Sequence, residues 1–169
     1  MLKKDIYEFE LNPFYEFNDR WALLTAGDKT TGFNSLTVSW GGIGILWGKK
    51  VAYVFVRKSR YTYEFLEKSD SVTLSFLKLE DKNKHSIMGR LSGRDVNKME
   101  LANLHYTYDP DYDGAYVTEC EYCFKMKKLY SMDLPYEQLP KDIIDRYYPD
   151  GDSHTMYVCE IKQFLEKRE

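Results

Sequence analysis

Residues 56–65, VRKSRYTYEF, crowd Arg57, Ser59, Arg60 and Thr62 into six positions where an apolar run gives way to a helix-like segment. Two guanidiniums, two hydroxyls and the unpaired N–H groups of a helix start are the parts of a phosphate nest. The guanidinium forks give charge-assisted bonds, and the backbone dipoles favour an anion. The same residues also suit plain capping with solvated arginines, so spacing alone leaves both readings open. A second basic turn, SGR at 92–94, is followed one helical turn later by Lys98, in a chain whose formal net charge is -3.

Other chemistries find less support. The sequence has no G-x-x-x-x-G-K-[ST] loop and no G-x-G-x-x-G fingerprint, so a phosphate would be held in neither of those ways. No G-x-S-x-G elbow is present, and His85, His105 and His154 fall in unlike contexts. Cys120-Glu-Tyr-Cys123 matches C-x-x-C, but it falls inside an expected strand, without a helix N-terminus to stabilise a thiolate. Residues three apart on a strand point to opposite faces, and Cys159 stands alone, so neither a redox pair nor a metal site is expected.

The elements that must position these residues read as mostly strands. Strands are expected at 21–26, 34–40, 50–57 and 71–77, a long one at 116–127 and a late one at 156–161. Glycines at 41, 42 and 44 interrupt the second. Short helices are expected at 61–67, after the SGRD turn within 92–104 with Asp95 as N-cap, and at 142–148. Residues 80–86 read as a loop and 163–169 as a polar tail. Many strands with few, short helices favour a closed or partly closed antiparallel barrel.

Composition bounds the rest. A chain of 169 residues suits one domain, 1–169, with a sizeable core. Aromatics make up 16%, with 15 Tyr and 9 Phe, which favours a packed sheet protein or a binder of flat ligands over disorder. The longest basic run, KMKK at 125–128, is too short for a nucleic-acid footprint. The opening MLKKDIYEFELNPF carries acids where a signal peptide needs an apolar core. No run of eighteen uncharged apolar residues offers a membrane span. Three cysteines without an export signal suggest free thiols and a cytoplasmic protein.

Taken in order, WALLTAGD, GFNSLTVSWGGIGILWGKKVAYVFVRKSRYTYEFLE and GRLSGRDVNK resemble the flavin reductase-like, FMN-binding split-barrel family, in its flavoredoxin-type branch. The resemblance covers roughly residues 20–165. It implies a mainly β split barrel with a few short helices, non-covalent FMN, and a homodimer with the cofactor near the subunit interface. It implies that Asn34, Ser35, Leu36 and Thr37 line the flavin, largely through backbone groups, with Ser39 and Trp40 beside the ring. Arg57, Ser59, Arg60 and Thr62 would hold the phosphate end, and Lys98 would approach the cofactor or its phosphate. The glycines at 41–44 would let the backbone bend beside the slot. Relatives often carry N-T-M-T where this chain has Asn34-Ser35-Leu36-Thr37, which keeps a hydroxyl and an apolar side chain. Their G-D-H is here Gly151-Asp152-Ser153-His154, one residue longer, so His154 carries over weakly.

The implied function is an FMN-dependent oxidoreductase. It would take electrons from NAD(P)H or a protein donor and pass them to a flavin, a metal-bound acceptor or a protein. The alternatives are a non-enzymatic FMN electron carrier and a divergent barrel without flavin. The intact Arg57, Ser59, Arg60 and Thr62 cluster argues against the last.

Overall fold

The computed structural model describes residues 1–8 and 10–167. Its strands are β1 (Leu2–Lys4), β2 (Ala22–Asp28), β3 (Gly32–Val38), β4 (Gly41–Leu46), β5 (Lys49–Arg57), β6 (Ser71–Phe76), β7 (Tyr106–Asp109), β8 (Tyr112–Val117), β9 (Tyr122–Asp133) and β10 (His154–Glu166). Short helices lie between them: α1 (Pro13–Tyr15), α2 (Tyr61–Lys68), α3 (Lys82–Arg90), α4 (Lys98–Leu101) and α5 (Lys141–Tyr147). β7 and β8 form a separate hairpin. The other strands make one sheet in the order β3-β2-β6-β9-β10-β5-β4, with β1 paired to β10.

That order forces the sheet to roll. β3 and β4 stand at opposite ends of it, yet only Ser39 and Trp40 separate them in sequence. Laid flat, six strand-to-strand steps of about 4.8 Å would part the ends by roughly 29 Å. The chain from Val38 to Gly41 reaches at most roughly 11 Å. The ends therefore curl together, but no ladder of hydrogen bonds joins them among the described residues, and the barrel stays split there.

Period-two alternation sorts the apolar residues onto two sides of this sheet. Leu24, Leu74, Phe124, Val54, Tyr157 and Phe164 fill the barrel interior. Their neighbours Leu23, Cys123 and Leu165 face outward, into a second core covered by Leu77, Met88, Leu104 and Val117. No helix among the described residues is long and apolar enough to cross a membrane.

Several expectations need correction. The strand expected at 116–127 is two strands, β8 and β9, with a turn between them that contains Cys120. The turn breaks the period-two count, so both thiols enter the same outer core instead of opposite faces. Burial and the neighbouring Cys120 push the Cys123 thiol well up, and burial pushes Cys159 up to about 12, so both stay protonated. The 80–86 stretch is no loop, because Lys82–Arg90 forms α3. The helix after SGRD starts at Lys98, and its N-cap is Asn97, whose side chain accepts from the Glu100 N–H, not Asp95. β10 runs through residues 163–166 of the expected tail; Arg168 and Glu169 lie outside the described residues.

The glycines of 41–44 do not bend the chain. They lie in β4, a regular edge strand in register with β5, and the turn falls at Ser39 and Trp40. Gly41 is demanded by contact: a Cβ there would sit 2.5 Å from Phe17 Cε1 and 2.6 Å from the Tyr53 carbonyl oxygen. At Gly42 a Cβ would meet nothing within 4 Å. Gly41→Ala should therefore lose about 1–3 kcal/mol of stability to overpacking. Gly42→Ala should stay within about 0.5 kcal/mol of wild type. Urea denaturation of the two variants checks this, and equal losses would contradict the packing argument.

Candidate functional site

The split in the barrel opens a cavity of about 250 Å³. Leu36 and Val38 of β3 form one wall and Phe55 and Arg57 of β5 the other. Ser39 and Trp40 close one end, with His154 beside them, and Arg60 and Gly89 stand at another. Trp40 is partly exposed, at 39%. Its ring lies 4.9 Å from that of His154 and stands edge-on to Tyr147 at 5.2 Å. A slot of mixed lining, with Leu36, Val38 and Phe55 beside Thr37, Ser39 and an exposed indole, suits a flat ligand with polar edge atoms.

His154 begins β10 and is buried. Burial, reinforced by Arg57 and opposed by Asp152, pushes its pKa down to about 4, so the imidazole is neutral near pH 7. Its Nδ1 shares a 2.8 Å hydrogen bond with the Tyr148 hydroxyl. A neutral ring so held can wall the slot or exchange a hydrogen bond, but it supplies no charge.

A second cavity, of about 230 Å³, shares Arg60 with the first. Ser59, Thr62, Arg90, Arg94 and Lys98 also line it, with Asp95 as its carboxylate. α2 starts here because Arg60, at its N-cap, is extended (φ -75, ψ 135), and its side chain does not cap the first turn. Tyr61 and Thr62 of this first turn line the basic cavity, while the Tyr63 N–H is taken by the Arg60 carbonyl at 2.9 Å. Lys98 is buried, and its Nζ donates to the Met88 and Leu91 carbonyls at 3.1 and 3.4 Å. Burial and the nearby Arg60 push its pKa down to about 8. Burial, with a smaller push from Arg57 and against the pull of Asp152, also lowers that of Arg60, whose Nη2 donates to the Gly89 carbonyl.

The expected site residues divide between these places. Ser59, Arg60, Thr62 and Lys98 come together at the basic cavity. Leu36, Thr37, Ser39, Trp40 and Arg57 line the slot. Arg57 does not line the basic cavity: its guanidinium donates to the Asp152 and Tyr147 carbonyls at 2.6 and 2.8 Å and lies over the Tyr148 ring. Asn34 lines neither of these cavities. Its Nδ2 donates to Thr62 Oγ1 at 2.7 Å, and it borders a third cleft beside Gly93. Ser35 faces away from the slot, 2.6 Å from Thr25 Oγ1 and 2.8 Å from the Tyr106 hydroxyl. Thr37 Oγ1 donates to the His85 carbonyl at 2.7 Å.

Sequence reasoning missed Phe55, Gly89, Arg90 and Asp152. Phe55 lies in the 50–57 run, which is apolar on both faces, so nothing singled it out. Gly89 and Arg90 open the GRLSGRDVNK segment that carries the resemblance, but no role was assigned to them there.

The flavin reductase like domain family matches residues 14–169. No curated protein matches the chain. Among solved structures it is similar to the flavoredoxin of Desulfovibrio vulgaris (Miyazaki F), at 18% identity and a TM-score of 0.70, covering 99% of this chain and 78% of that one. The flavoredoxin of Methanosarcina acetivorans gives 19% and 0.69, covering 88% and 69%. An FMN-binding protein of Thermus thermophilus, solved with 1-cyclohex-2-enone bound, gives 17% and 0.68, covering 94% and 76%. With the split barrel and nearly the whole chain matched, this protein belongs to the flavin reductase like domain family.

Proposed function

We propose that this chain binds FMN in the split of the barrel and works as an oxidoreductase. The supporting observation is that Arg60 lines both the slot and the neighbouring basic cavity. One amphipathic ligand, flat at one end and dianionic at the other, fits that pair. Leu36, Phe55 and Trp40 hold the ring, and Ser39 and the β3 backbone offer hydrogen bonds at its edge. Ser59, Arg60, Lys98 and the first-turn N–H groups of α2 hold the phosphate. The chemistry supplied by the flavin is acceptance of a hydride from NAD(P)H and passage of electrons to a flavin, metal-bound or protein acceptor. The chain's part is to orient that ring, exclude water from one face and leave the Trp40 side open to a partner. No acid is required of His154, which its low pKa would not allow near neutrality.

A second copy of the chain completes the assembly. Ile45, Trp47, Tyr130 and Met132 are all exposed, and Trp47 meets Tyr130 edge-on at 6.5 Å. This joins the edge strand β4 to the end of β9 in an apolar patch of the sort interfaces cover. Sedimentation equilibrium at micromolar protein should show a dimer; a flavin-loaded monomer would overturn this.

Chromatography of the chromophore released from denatured protein should show FMN, not FAD. Anaerobic addition of NADH or NADPH should bleach the bound flavin in stopped flow; stoichiometric FMN without bleaching would leave an electron carrier. Arg60→Gln should weaken FMN at least about tenfold, given the roughly 1.5–3 kcal/mol of a charge-assisted bond, and change riboflavin little.

Lys98 gives a pH test. Its folded pKa of about 8 lies below the ordinary 10.5. Between those values the unfolded chain binds more protons, so stability rises with pH there, and below pH 8 the penalty of the buried charge is fully present. Wild type should gain on Lys98→Met as pH goes from 8 to 10, by at most about 1.4 kcal/mol per pH unit. FMN affinity of wild type should fall over the same range and stay flat in the variant. Parallel pH profiles for the two proteins would show that Lys98 does not titrate there.

A further inference from the structure

The Asp152 carboxylate is bonded to Ser59, one of the donors assigned to phosphate. Arg57 clamps the segment that carries it by bonding the Tyr147 and Asp152 carbonyls from β5. Gly151, at φ +73, turns the chain just before it, and the Gly151 N–H donates to the Tyr148 carbonyl at 3.0 Å. The clamp leaves the Asp152 carboxylate 2.6 Å from Ser59 Oγ, which donates to it, and 3.9 Å from an Arg57 nitrogen. Lys58, the cation between these residues in sequence, is paired elsewhere, with Asp133.

We infer that Asp152 sets how strongly the site discriminates a flavin carrying a phosphate from one without it. This rests on the flavin-binding reading above. A dianion that takes the Ser59 hydroxyl must take it from Asp152 and then lie beside a fixed negative charge. That charge also offsets part of the positive field of Arg57 and Arg60. A dephosphorylated flavin seats its ring in the slot and meets neither cost. The carboxylate therefore acts on one end of the ligand: it lowers affinity for FMN and leaves riboflavin nearly untouched. Its effect is electrostatic and partly exposed, so salt must weaken it.

The test uses Asp152→Asn, which keeps the shape and an oxygen for Ser59 while removing the charge. FMN and riboflavin are titrated separately against wild type and variant by flavin fluorescence, at low and high salt. The expected result is FMN binding tightened roughly tenfold at low salt and riboflavin within about twofold, the scale of one like charge removed near the surface. The gain should shrink in high salt. Equal changes for the two flavins, or FMN weakened in the variant, would overturn the inference and give Asp152 a merely positioning role. Asp152→Ser, lacking the charge but also the size, should show the same FMN-selective gain if the variant's fold is in question. Wild type that binds neither flavin would sink the flavin reading itself, whereas FMN binding with an unchanged preference sinks this inference alone.

Discussion

The Asn34 side chain is the joint on which the site depends. It is buried on β3, and its amide donates to Thr62 Oγ1 in the first turn of α2. Its oxygen lies against Gly93, where a Cβ would overlap it and would crowd Tyr61 at 3.1 Å. Three segments distant in sequence thus meet at one amide: the end of the sheet, the start of a helix and the SGRD turn. A buried hydroxyl or amide left unpaired costs about 1–3 kcal/mol, so the three are held in fixed register. That register decides that Arg60, at the N-cap of α2, reaches the cavities, while Arg57, still on β5, points to the Tyr147 to Asp152 segment.

A buried Lys98 beside a half-buried Arg60 needs a source of negative potential, since both give up water. The end of α3 supplies it. Arg60 bonds the Gly89 carbonyl, and Lys98 bonds those of Met88 and Leu91. These are carbonyls at the negative end of the helix, which would otherwise lack partners. α3 therefore stores positive charge at the same cavity where α2 begins. Lys98 is held at a cost, as its lowered pKa records, and that strained charge is the part of the nest most able to gain from an anion.

How much of this was legible depends on how local each signal is. The strands at 21–26, 34–40, 50–57 and 71–77 and the helix at 61–67 were readable because apolar residues cluster there, in 50–57 on both faces, and the observed bounds differ by a few residues. The polar stretch after residue 80 offered no such cluster. α3 forms because Met88 and His85 bury against the barrel, a tertiary reason. The C-x-x-C pair shows the opposite failure. Tyr116 to Lys127 alternates well enough to pass for one strand, but a turn resets the count, and both thiols reach one core. At the site, composition and order exposed Arg60, Ser59, Thr62 and Lys98. That Arg57 faces a different partner, and that Asp152 joins the cluster, is set by a contact some ninety residues away in sequence, which no local pattern carries.

The two-residue link at Ser39 and Trp40 sets the shape of the slot. It ties the sheet ends together too tightly for a wide channel, yet among the described residues no ladder joins them, which leaves room for something thin. The width of the split is set by β3 and β5, whose inward residues Leu36, Val38, Val54 and Val56 are packed into the core and cannot move apart without opening it. Its depth is set at the other end by Arg60, fixed through Asn34 and Thr62. Shape selection therefore acts on the ring and charge selection on the tail, through separate parts of the chain. A change in the walls should alter all flavins together, while a change in the charged cluster should separate them by their phosphate.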